Sequence, residues 1–195
     1  MGSSKDWYSI TLSSDGTKLA AVGNAERIWT STDSGETWTE DSSIGNQWWR
    51  SITSSSDGTK LAAVATSGYI YTSSDSGATW TRDTSVGGSK NWWGVTSSSD
   101  GTRLAAVVRG GNIWTSSDSG ATWTVDASVG STKSWASIAS SSDGTKLAAV
   151  VEGGNIWTST DSGATWTEDA SVGSTKQWRG IASSSDGTKL AAVVE

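Results

Sequence analysis

A chain of 195 residues with 14 Trp and 23 Gly but no Cys, His, Pro or Phe has no disulfide framework, no thiolate nucleophile and no imidazole base or metal ligand. Its net charge of −6, spread over interspersed acidic and basic residues, repels a phosphate backbone and argues against nucleic acid as a partner. Its longest apolar runs, such as LAAVV at 147–151, are too short to cross a bilayer, and its tryptophan content argues against disorder.

The chain opens MGSSKDW. This stretch has no apolar leader, and Asp6 stands where a myristoylation pattern needs Ser or Thr. MGSS reads as an added start rather than a targeting signal, on a soluble chain with no membrane partner and no assigned compartment. From Trp7 onward the sequence is periodic. A Trp that opens an extended segment falls at 7, 49, 92, 135 and 178; an Asp-Gly-Thr unit begins at 15, 57, 100, 143 and 186. A Ser-x-Asp-x-Gly-x-x-Trp box begins at 31, 73, 116 and 159. Each series steps by 42 and then by 43, the mark of a repeat architecture.

Within the unit that starts at Trp135, an alternating segment over 135–142 predicts the first strand. Asp143-Gly144 predicts a tight hairpin turn, because Gly accepts positive φ. The second strand is predicted over 145–151; its consecutive apolar residues suit a strand covered on both faces. A Gly-Gly-Asn loop leads to a third strand at Ile156–Ser159. The box then turns the chain into a fourth, over 165–169. No segment has a helical period. Four strands in a unit of this length are the size of a propeller blade. The sequence therefore predicts an all-β, single-domain β-propeller over residues 1–195, with four complete four-stranded antiparallel blades and a C-terminal half-blade.

The box carries residues with clear turn roles. In its last copy, Ser159 and Asp161 are placed to accept backbone N–H bonds, Gly163 supplies a left-handed conformation, and Trp166 is placed to insert between sheets. Burying one Trp removes roughly 150–250 Å² from water, worth about 4–6 kcal/mol at most. The same roles fall to Ser31, Asp33, Gly35 and Trp38; to Ser73, Asp75, Gly77 and Trp80; and to Ser116, Asp118, Gly120 and Trp123. The box resembles the Asp-box, or BNR repeat, of sialidases and related β-propellers, and it does so in four of the five units. The resemblance implies a structural turn between the third and fourth strands of each blade, away from any catalytic centre.

An active site needs unlike groups in unequal roles. Of the 14 Asp, every one but Asp6 belongs to a repeated series. The sialidase resemblance implies three arginines around a carboxylate with a Tyr–Glu pair and an acid. Here Arg27, Arg50, Arg82, Arg103, Arg109 and Arg179 show no evident triad in sequence. The expectation is a non-enzymatic chain with no catalytic residue, no metal and no cofactor.

The units differ mainly where the second strand leads to the third and where the chain enters the first strand. In an up-and-down blade these connections share one end. The residue after the opening Trp is Tyr8, Arg50, Trp93, Ala136 or Arg179. Tyr8, Trp48, Arg50, Trp93, Arg109 and Arg179 are therefore candidate ligand contacts, suited to stack on a glycan or a protein ligand; loop drift and inter-blade packing are the rival explanations. Finally, five first-and-second-strand hairpins stand beside only four third-and-fourth-strand pairs. A half-built blade leaves an unpaired strand edge, which predicts a homo-oligomer, most simply a dimer. SSSDGTKLAAV recurs unchanged at 54, 140 and 183, implying recent duplication or design. The function expected is a repeat scaffold, with a carbohydrate- or protein-binding module as the alternative and a glycosidase behind both.

Overall fold

The computed structural model describes residues 5–195; residues 1–4, the MGSS read as an added start, lie outside them. The described residues form eighteen strands and no helix. The first sheet runs β1 (Trp7–Leu12), β2 (Leu19–Gly23), β3 (Trp29–Ser31) and β4 (Thr39–Glu40). The second repeats it with β5 (Trp49–Ser54), β6 (Leu61–Ala65), β7 (Ile70–Ser73) and β8 (Thr81–Arg82). The third has β9 (Trp92–Ser97), β10 (Leu104–Gly111), β11 (Ile113–Ser116) and β12 (Thr124–Val125). The fourth has β13 (Lys133–Ser140), β14 (Leu147–Gly154), β15 (Ile156–Ser159) and β16 (Thr167–Asp169). A hairpin of β17 (Lys176–Ser183) and β18 (Leu190–Val194) ends the series. All pairings are antiparallel, and each four-stranded sheet is an up-and-down meander in chain order.

The second strands are the most buried elements. All of β6 is buried, because the sheet is covered on both faces by its neighbours. Apolar clusters fill each gap between sheets. Ala20, Val22 and Ile28 of the first sheet meet Trp49, Ile52 and Leu61 of the second, and the same positions recur at the next two gaps. Trp49, Trp92 and Trp135 are at most 1% exposed. Each stands edge-on to an aromatic ring of its own third strand: Tyr71, Trp114 and Trp157.

Backbone hydrogen bonds tie the sheets at both ends. At one end the N–H groups of Ser14, Ser56, Ser99 and Ser142 donate to the carbonyls of Ser56, Ser99, Ser142 and Ser185, at 2.7–2.8 Å. At the other end, bridges join Glu26 to Gln47 and Gly68 to Lys90. Short ladders at Arg109–Ser134 and Glu152–Gln177 do the same for the later sheets, linking β9 to β18 in one hydrogen-bonded network.

Two local expectations are corrected. Ser140 pairs with Leu147, so residues 141–146 form a wider turn than the predicted Asp-Gly hairpin. The Ser141 hydroxyl occupies its mouth, accepting from Lys146 N at 3.0 Å and donating to Asp143 at 2.6 Å. The strands also shift. β13 starts two residues before Trp135, and β14 extends to Gly154, because the inter-sheet ladders recruit both ends into pairing.

Candidate functional site: a rim of bulged residues

The variable residues meet through a repeated backbone defect. In the first hairpin the register slips between Trp7 and Ser9, so Tyr8 has no cross-strand partner. The same slip leaves out Arg50, Trp93, Ala136 and Arg179. A β-bulge re-aims the side chain at the extra residue. All five bulge residues line one cavity of about 380 Å³, together with Ser51, Gly94, Ser137 and Ile138.

Around this cavity cations and rings alternate. The Arg50 guanidinium lies 4.6 Å from the centre of the Tyr8 ring and 3.7 Å from that of Trp93. Arg109, from the end of β10, covers Trp93 at 4.4 Å. Glu152 accepts from both Arg109 and Arg179, and Arg179 also reaches Glu195. The carboxylates of Glu195 and Glu152 hold the Arg179 guanidinium more firmly charged than usual. Trp48 is 58% exposed and lines an adjoining depression of about 240 Å³ with Tyr8, Asn24, Arg50, Thr66 and Trp93. The structure thus brings Tyr8, Trp48, Arg50, Trp93, Arg109 and Arg179 to one end of the molecule. Three of the six arginines meet there, although the sequence shows no triad, because bulge positions and second-strand ends converge in space. Glu152, shared by two of them, was missed: it lies in the part of β14 beyond the predicted strand end, and the unit position it occupies is Arg109 in the preceding unit and acidic again only at Glu195. The bulge itself was also missed, since serine-rich alternation reads the same with one residue slipped.

The boxes lie apart from this cavity and are spent on their own turns. Ser159 Oγ accepts from Gly163 N at 2.9 Å and donates to Asp161 at 2.8 Å. Asp161 accepts from Thr165 N at 2.9 Å and from the Thr165 hydroxyl at 2.6 Å. The boxes of Asp33, Asp75 and Asp118 repeat this pattern. Hydrogen bonds from threonine and serine lower these four carboxyls from 3.8 to about 2. Gly163 has φ +87°, and Ser162 before it also lies in the left-handed region, at 62°. The box tryptophans Trp123 and Trp166 are buried, whereas Trp38 and Trp80 are half-buried. Among the described residues no three carboxylates converge in a metal-binding group, and no helix is long and apolar enough to cross a membrane.

The sequence matches no protein-family model and no curated protein. Solved structures match the fold. YCF48 bound to D1 peptide aligns over 100% of this chain and 64% of its own, at 16% identity and a TM-score of 0.72. YCF48 from Cyanidioschyzon merolae aligns over 100% and 65%, at 16% and 0.69. The GH74 xyloglucanase from Xanthomonas campestris aligns over 95% and 35%, at 15% and 0.73. The chain is an all-β repeat fold that matches part of these Asp-box-like β-propellers and spans less than two thirds of their length.

Proposed function

We propose that this chain is a non-enzymatic repeat scaffold that completes a β-propeller by associating with itself. One observation carries the reading: the sheets at the two ends of the series bear exposed faces that are buried everywhere between them. Trp7 and Ile10 are 41% and 58% exposed, against 0% and 5% for the matching Trp49 and Ile52. A face built for a neighbour and lacking one is stabilised by acquiring it. Sedimentation equilibrium tests this; the expected mass exceeds the 20.2 kDa of one chain at micromolar concentration, and a mass that stays at one chain contradicts it.

A second reading, a binding module for a glycan or protein ligand at the rim, is favoured by the convergence of aromatic and arginine residues on the bulge cavity. One similar structure is of YCF48 bound to a peptide, and extended chains suit such stacked surfaces. Glycan- and peptide-array binding that disappears in Trp93→Ala supports it. The turn carboxylates are engaged within their turns, which leaves little for a glycosidase; turnover of a fluorogenic sialoside would revive that reading.

A further inference from the structure

We propose that copies join head to tail, with the last hairpin of one copy docking on the first sheet of the next as if it were the preceding sheet. The inference rests on the self-association reading above and specifies its geometry.

Every junction inside the chain has two unlike halves. The leading half is the second strand with the isoleucine that opens the third: Ala105, Val107 and Ile113 are 1%, 0% and 1% exposed at the third junction, and the last hairpin offers the second-strand part of it. The trailing half is the opposite face of the following sheet: Trp135, Ile138, Leu147 and Trp166. The first sheet has a trailing face that is bare among the described residues, where Trp7, Ile10, Ala21 and Trp38 line an apolar groove of about 400 Å³. The last hairpin has a leading face that is bare among the described residues, where Ala191 is exposed and Val193 is 61% exposed. By the repeat, these two faces are the halves of one more junction.

The turn end agrees. The turn glycines Gly58, Gly101, Gly144 and Gly187 lie so close to the preceding turn that a Cβ would sit 2.8–3.1 Å from its Lys or Arg and Ser side chains. Gly16, their counterpart in the first sheet, has nothing within 4 Å of that position among the described residues. The knob that fits it is Ser184 with Lys189, half-buried and exposed at the far end of the chain. The serine backbone series points the same way. Each member donates to the next until Ser142 reaches Ser185. Among the described residues, Ser185 N–H has no acceptor and the Ser14 carbonyl no donor, which are the two ends of one missing hydrogen bond. Docking also sets Arg179 of one copy beside Tyr8 of the next, extending the stack in which Arg50 lies between Tyr8 and Trp93.

Such a contact is heterologous: the two partners use different surfaces. That allows a complementation test by native mass spectrometry. Gly16→Asn fills the socket with a residue that tolerates positive φ. Val193→Glu charges the opposite face at an already exposed site. The wild-type chain is expected as multiples of 20.2 kDa, and each variant alone as a single chain. An equal mixture of the two variants should recover a two-chain species, because one intact socket meets one intact knob. Circular dichroism confirms folding; Ile10→Lys and Ala191→Glu serve if either first variant unfolds. A single-chain wild type overturns both the self-association reading and this geometry. A multimeric wild type with variants that still associate, or with a mixture that stays single, overturns the head-to-tail geometry alone, as does wild-type mass gained only with a different protein.

Discussion

Ser159 illustrates how the repeated polar residues are used. Its hydroxyl caps Gly163 N–H in a buried hydrogen bond at the base of the turn, so Ser159→Ala strands that donor. The expected loss is about 1–3 kcal/mol, read as a lowered urea midpoint. The turn carboxylates predict a pH dependence of definite sign. Nine of them, in the boxes and in the Asp-Gly-Thr turns, are lowered from 3.8 to about 2 by serine and threonine hydrogen bonds. A carboxyl more acidic in the folded state contributes stability above its unfolded value and loses it as pH falls through the folded one. The melting temperature should therefore hold level down to about pH 4 and fall steeply toward about pH 2. The box roles of Ser159, Asp161 and Gly163 were legible because turn chemistry is local. The left-handed Ser162 was not, since nothing in serine itself announces positive φ.

At the scale of elements, tryptophans divide into two kinds that the sequence places side by side. Trp92 is fully buried between sheets, whereas Trp93 sits on the bulge and carries two guanidinium groups. Trp135→Ala, at a site equivalent to Trp92, should cost about 3–5 kcal/mol in chemical denaturation. Trp93→Ala should cost about 1–2 kcal/mol, the sum of two stacks at about 0.5–1 each. Equal losses would contradict the division. The third strand Ile156–Ser159 was predicted to the residue, because apolar β-branched and aromatic residues define it from both sides. The first and second strands were misplaced by a few residues, because their ends pair across sheets, and inter-sheet pairing leaves no mark in a serine- and glycine-rich stretch.

At the scale of the molecule, the repeat period gave the number of sheets directly, and the incomplete last unit is the hairpin β17–β18. The variable rim was also readable, since alternating connections place every second loop at one end. That three arginines and Glu152 meet there was not, because convergence of unlike repeat positions depends on how the sheets turn about their axis. The same turning leaves two unlike apolar faces at the ends, and the central claim is that in solution these faces cover one another. Hydroxyl-radical footprinting compares two tryptophans that are both exposed in the single chain: Trp7 on the end face, at 41%, and Trp48 on the rim, at 58%. Trp7 should be protected and Trp48 modified; modification of both to the extent of their single-chain exposure would contradict the claim.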